Sequence, residues 1–173
     1  YEESKKKYVG YVREVIDLVK FQDFYTLFFD RIERDREFFM YNDIPYDKAD
    51  EITKERAKSY LTSALSYLFL KCSSDIDFMN YDFKREVHNE NLTNSEIDLI
   101  VSVMFEKYLE RDISILKAQS NRFTTKDLNV FSPANERKTF MDMFKQIQDD
   151  NIKKIKDYEA IDRITGKLKS ISS

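Results

Sequence analysis

Two side chains stand apart by their chemistry. His88 is the only imidazole in the 173-residue chain and Cys72 the only thiol. Together they are too few for zinc, which takes several His or Cys ligands, and one cysteine excludes an internal disulfide. No glycine-rich phosphate loop, GxSxG elbow, HExxH pair or calcium loop occurs. The carboxylate pairs Asp75/Asp77 and Asp149/Asp150 read as solvated helix ends. Cys72 reads as a small, buried or half-buried thiol without chemistry. Haem is the cofactor best matched to one histidine, because it needs a single axial imidazole and a flat apolar slot. The plainer readings of His88 are a surface residue or a satisfied core residue.

The elements that position these groups are helices. Two glycines and two prolines are too few for the many turns of a sheet protein. Charged residues at 35% suit helices with one solvated face, and aromatics at 14% without tryptophan leave the core to Phe and Tyr. The expected fold class is all-α, in one principal domain. The net charge of −3 has well-mixed signs and no basic stripe, so a nucleic-acid partner is not expected. No apolar run approaches the roughly 18–20 residues that span a bilayer. A single cysteine fits a reducing, cytoplasmic setting.

Along the chain, the spacing of Tyr8, Val12, Val15, Ile16 and Val19 predicts a helix over about 2–20. A second helix starts near Gln22-Asp23 and carries a broad stripe of Phe21, Phe24, Tyr25, Phe28, Phe29 and Ile32, returning to the core at Phe38-Phe39-Met40. That stripe is either plain core or the lining of a cavity. After a turn at Asn42–Asp47, a helix over about 48–71 presents Ile52, Ala57, Tyr60, Leu61, Ala64, Leu65 and Leu68. Ala57 and Ala64 admit a close helix or a flat ligand. Ile76, Met79, Phe83 and Val87 then predict a short helix over 76–88, with His88 at the edge of its buried stripe beside Tyr81 and Lys84. Thr93 with Glu96 forms a capping box opening a helix over about 94–119. Ser132-Pro133 opens the last helix. Beyond Asn151 its apolar pattern narrows to a seam of Ile152, Ile155, Tyr158, Ile161, Ile164, Leu168 and Ile171, the form used by two associating helices. The expected division is a domain over 1–150 and a helical extension or coiled-coil linker over 151–173.

Several of these segments resemble the globin superfamily. Phe83-Lys84-Arg85-Glu86-Val87-His88 is similar to the segment carrying the proximal histidine. The polar run from His88 to Ile97 leads into a long helix, as in truncated haemoglobins and sensor globins. Phe24-Tyr25 resembles the distal-side pair, Phe38-Phe39 the aromatic pair at the haem corner, and Arg56 to Leu68 the distal helix. The likeness spans roughly Val15 to Leu116 and consists of loose motifs. The long later helices favour the sensor branch, and the chain also resembles haem-less globin sensor domains of spore-forming bacteria, which are similar to sporulation-kinase input domains.

The resemblance implies a globin-like, non-catalytic sensory domain in stress or sporulation signalling. Its pocket would be lined by His88, Tyr25, Phe28, Phe39, Lys58, Leu61 and Phe83. The ligand would be a small apolar molecule such as a fatty acid. The partners would be a second copy, through the last two helices, or a sensor histidine kinase. One alternative is a haem-binding globin, gas sensor or oxygen carrier, with His88 as the metal ligand. Lys58, Ser59 and Tyr60 at the distal positions depart from the usual Gln, His or Leu. Another alternative is a ligand-free helical adaptor.

Overall fold

The computed structural model describes residues 18–32, 46–120 and 134–169. The fold is all-α, and the described residues form four helices and one two-stranded hairpin: α1 (Phe21–Arg31), α2 (Tyr46–Lys71), β1 (Tyr81–Asp82), β2 (Val87–His88), α3 (Asn94–Ser120) and α4 (Ala134–Ala160). The first expected helix falls largely outside the described residues, as do Phe38-Phe39-Met40, the turn before Tyr46 and Ser132-Pro133.

Helix α1 starts where Lys20 becomes extended, and the Lys20 backbone N–H donates to Asp23 Oδ2 at 2.9 Å. Phe21, Phe24, Tyr25 and Phe28 fall on one face at helical spacing and are buried. Each such Phe, removed from water, contributes about 1.5–3 kcal/mol. Helix α2 presents Ala57, Tyr60, Leu61, Ala64, Leu65 and Leu68 as its buried face. The two alanines let a neighbouring backbone approach.

Helix α3 is the centre of the molecule. From Leu99 to Leu109 it is buried on nearly every side, including Ile100, Val101, Val103, Met104 and Tyr108. A helix apolar around its circumference must be enclosed by others, and α1, α2 and α4 all pack against this one. Helix α4 is largely polar and gives α3 only a narrow face, with Asn151 and Ile155 buried and Phe144, Ile147 and Tyr158 partly so.

Two expected helical stretches take other forms. Residues 76–88 do not form a helix. Ser74 Oγ accepts from the Ile76 N–H (3.2 Å), Asp77 Oδ1 from the Met79 N–H (2.8 Å), and Asp82 Oδ1 from the N–H groups of Lys84 (2.8 Å) and Arg85 (3.1 Å). These side-chain acceptors satisfy the donors that a helix would use and turn the chain instead. The result is an antiparallel hairpin with Tyr81 opposite His88 and Asp82 opposite Val87. Its outer edge is joined by the chain entering α1, with the His88 N–H donating to Val19 O (2.9 Å) and the Phe21 N–H to Glu86 O (2.8 Å). The helix-borne proximal histidine that the globin resemblance implies is therefore not formed.

The tail seam is also broken. Helix α4 ends at Ala160, and Ile161 pairs with Leu168 across a tight turn. Asp162 Oδ1 accepts from the Ile164 N–H, the Thr165 N–H and the Thr165 hydroxyl (2.7–3.1 Å). Gly166 closes the turn at φ +67°, a conformation that costs glycine little. Ile155 serves the intramolecular core, whereas Ile164 and Leu168 stand in solvent. A continuous coiled-coil helix through 171 is thus excluded over the described part of the tail. No helix among the described residues is long and apolar enough to cross a membrane.

Candidate functional site

His88 lies in β2 with its side chain wholly buried. Nε2 lies 3.2 Å from the Phe78 carbonyl oxygen, and Nδ1 accepts from the Glu90 N–H at 3.2 Å. The acceptor at Nδ1 assigns the proton to Nε2, which donates to Phe78. Burial lowers the imidazole's pKa; the bonds to Phe78 and Glu90 and the carboxylates of Glu90 and Asp77 oppose that shift without reversing it. The ring is therefore neutral, with both nitrogens used to brace the hairpin. It does not fit an axial haem ligand, which needs a free ring nitrogen facing a slot. Cys72 is buried as expected, and burial first, then the Glu159 carboxylate, pushes its thiol up to about 11.

The other expected pocket residues separate into two groups. Phe28 and Leu61 are fully buried. Phe28 packs on Phe29, Tyr60 and Tyr108 at ring-centroid distances of 5.5–6.0 Å. Phe39 lies outside the described residues.

Lys58 and Phe83 meet at the hairpin turn, and Tyr25 is linked to them through the Phe21 ring. Phe83, 46% exposed, packs edge-on against Tyr81 (4.9 Å) and Phe21 (6.1 Å). Phe21 in turn packs on Tyr25 at 6.5 Å. Lys58 Nζ sits 5.1 Å from the Phe83 ring centre and 3.0 Å from Glu86 Oε1. One ammonium thus holds the turn on α2 through a cation–π contact and an ion pair. Glu86 itself has φ +51°, uncommon for a residue with a side chain. The Tyr25 hydroxyl is buried and has no hydrogen-bond partner among the described residues. Burial, then the carboxylates of Glu86 and Glu55, raise its pKa well above the ordinary phenol value, so it stays an O–H donor.

A second polar centre was read in the sequence only as a helix cap. Glu96, the capping-box residue, is wholly buried. Its Oε2 accepts from the Thr93 N–H (2.7 Å), while Thr93 Oγ1 accepts from the Glu96 N–H (3.3 Å). Arg163 Nε reaches Oε1 at 2.8 Å and Nη2 reaches Oε2 at 3.0 Å, a two-pronged pair. The Tyr158 hydroxyl adds a bond of 2.7 Å to Oε1 and meets Ser74 Oγ at 2.9 Å. Burial pushes the Glu96 carboxyl up, but the bonds from Arg163, Thr93 and Tyr158 outweigh it and hold the pKa below its usual value. Further along the α3–α4 contact, Asn151 Nδ2 donates to Ser102 O (3.2 Å) and Glu106 Oε2 (2.7 Å). Lys154 and Arg31 converge on Ser102 Oγ, both at 2.8 Å, and both also pair with Asp98.

These groups are mutually satisfied and read as the fastening of α4 to α3. Beside them lies an open recess of about 490 Å³, floored by Leu99, Tyr158 and Ile161 and rimmed by Asp98, Lys154 and Asp157. It shares no residue with the Tyr25 cluster. Among the described residues no group of three or more His, Cys, Asp or Glu could hold a metal ion. The capping box signalled Glu96, but nothing local signals a partner 67 positions away. No family model, curated protein or solved structure matches this chain.

Proposed function

We propose that this chain is a non-catalytic regulatory module that responds to a small apolar molecule, and that the ligand enters under the hairpin turn at Tyr25, Lys58 and Phe83 rather than beside His88. One observation carries the reading: the buried hydroxyl of Tyr25 lacks a partner. Buried polar groups are nearly always hydrogen-bonded, and leaving one unsatisfied costs about 1–3 kcal/mol. A site that is closed when free and completed by a ligand retains such a group. Phe83, half-exposed, lies on the Phe21 ring that packs against Tyr25.

The reading keeps the sensory class implied by the globin resemblance and drops haem, because both nitrogens of His88 are engaged. The hairpin leads through residues 89–93 directly into the central helix α3. A ligand that displaces the turn would bias the packing of α3, and through it α4, which is how a binding event becomes a signal.

The test is a fluorescence titration of the native protein with the neutral dye N-phenyl-1-naphthylamine, followed by hydrogen–deuterium exchange. Saturable one-to-one binding that slows exchange in residues 19–28 and 80–90 is expected. A folded protein that does not bind the dye, or protection confined to the α3–α4 recess, would refute the reading.

A further inference from the structure

We infer that the open recess between the head of α3 and the end of α4 is a second binding site, and that it takes a small organic cation: a primary ammonium on a compact apolar body, with the ammonium paired to Asp157. The recess shares no residue with the hairpin site proposed above, so the two readings stand or fall separately.

Size and floor point to a small ligand with an apolar body. The recess measures about 490 Å³, within the roughly 300–1,000 Å³ of small-molecule sites. Leu99 is buried beneath it, and Tyr158 has its hydroxyl committed to Glu96 (2.7 Å), which leaves the ring as the surface it can offer. Ile161, the third floor residue, is still 37% exposed, so an occupant has apolar surface to cover.

The rim sets the sign of the charge. Both cations that line the recess are already matched. Arg163 is held at two points by Glu96, and Lys154 by Asp98 (3.0 Å) and Ser102 Oγ (2.8 Å). Asp98 is fully used, because its other oxygen takes Arg31. A helix start attracts negative charge, but at the head of α3 the Glu96 carboxylate of the capping box already supplies it. Asp157 is left over. It lines the recess, is exposed, and has no hydrogen bond or ion pair among the described residues. Asp162 adds a carboxylate to the same rim, with Oδ1 tied to its own turn and Oδ2 without a donor among the described residues. The uncompensated charge is therefore negative. An anion would first have to displace Glu96 from Arg163 or Asp98 from Lys154, whereas a cation displaces nothing. The walls come from two parts of the chain, 93–99 and 154–166. A bound cation would span them and hold the turn that carries Arg163 against the head of α3, stabilising that closure by mass action.

The experiment compares three probes that share a phenylethyl body and differ in the charge of the end group: 2-phenylethylammonium, neutral 2-phenylethanol and anionic 3-phenylpropanoate. Each is titrated into the folded full chain and followed by backbone amide chemical shifts. The ammonium should bind about tenfold tighter than the alcohol, the size of one charge-assisted hydrogen bond, with shifts centred on residues 92–99 and 154–167, and the anion should bind most weakly. Raising the salt from about 20 mM to about 500 mM should erase most of that preference, because the pairing carboxylate is solvated. Asp157→Asn should remove the preference, while Asp142→Asn, an equal charge change farther back on α4, leaves it intact. Lys154→Gln should tighten the ammonium several-fold, because Asp98 loses a competing cation. Cooperative melting of each variant establishes that it is folded; should Lys154→Gln not fold, wild type and Asp157→Asn decide the matter. Equal binding of ammonium and alcohol, a preference for the anion, or a preference that survives Asp157→Asn would overturn the inference. So would failure of all three probes to bind at the recess.

Discussion

Replacing Arg163 with methionine removes the only cation bonded to a fully buried carboxylate among the described residues. The substitution keeps most of the side-chain volume, so its cost is electrostatic. Breaking a buried pair by deleting one partner costs about 3–5 kcal/mol. Two features of the site reduce that figure. Glu96 retains bonds from the Thr93 N–H and the Tyr158 hydroxyl, and Arg163 is itself 20% exposed and so gave up only part of its hydration. A loss of about 2–4 kcal/mol follows, or on the order of 10 °C in melting temperature for a domain of this size. Glu96→Gln should cost less, because Gln can still accept from Thr93 while the freed guanidinium turns to water.

The pH dependence supplies a sharper check on the same node. In wild type the Glu96 pKa is held below its unfolded value, so the folded state gains stability above that value and loses it as pH falls. Without Arg163 the hydrogen bond and the charge that most oppose burial are lost, and the folded pKa rises above its wild-type position. The variant then gains relative stability on acidification. The gap between wild type and Arg163→Met, measured by urea unfolding, should be widest at pH 7 and narrow toward pH 5. A gap below 1 kcal/mol, or one independent of pH, would refute the assignment of Glu96 as a buried charge.

The single histidine gives a single ring resonance, and its NMR titration midpoint should fall below the ordinary value of about 6.5. Because the unfolded chain then takes up a proton that the folded chain refuses, His88 contributes nothing to pH dependence above about 6.5 and reduces stability below it, by at most about 1.4 kcal/mol per pH unit. A midpoint at or above 6.5 would contradict the buried, doubly bonded ring. Thr93→Ala removes the hydroxyl acceptor at the start of α3 and should cost about 1 kcal/mol in a thermal or urea melt, with Thr93→Ser nearly neutral.

The long helices were legible because their patterns leave little choice. The spacing of Phe21, Phe24, Tyr25 and Phe28, and of Ala57 to Leu68, fixes both element and buried face, and Thr93 with Glu96 announces the start of α3. The hairpin was misread because Ile76, Met79, Phe83 and Val87 also keep helical spacing. Four apolar residues gave the period, while Ser74, Asp77 and Asp82 supplied competing acceptors that a count of apolar positions ignores. The tail failed similarly at Asp162 and Gly166. As for the site, Tyr25 and Lys58 were singled out through the likeness of their helices to the globin distal side, and Phe83 through a segment read as helical. Lys58 and Phe83 do meet, but through a turn whose Glu86 shares the same ammonium. The Glu96–Arg163 pair could not be read locally, because it depends on where α4 ends relative to α3.

The fastening of Glu96 by Arg163 has a consequence for the order of assembly. The central helix begins with a carboxylate that must be buried, yet its cation is supplied from beyond the end of α4. During synthesis, α1, α2 and α3 emerge long before that arginine, and until it docks, Glu96 is either hydrated at a loosened helix start or protonated. The amino-terminal half therefore cannot reach its final packing on its own. Closing a contact 67 positions apart carries a substantial loop entropy, so a late docking step gates completion of the core, and a ribosome stalled before that docking would present a helical bundle still open at the head of its central member.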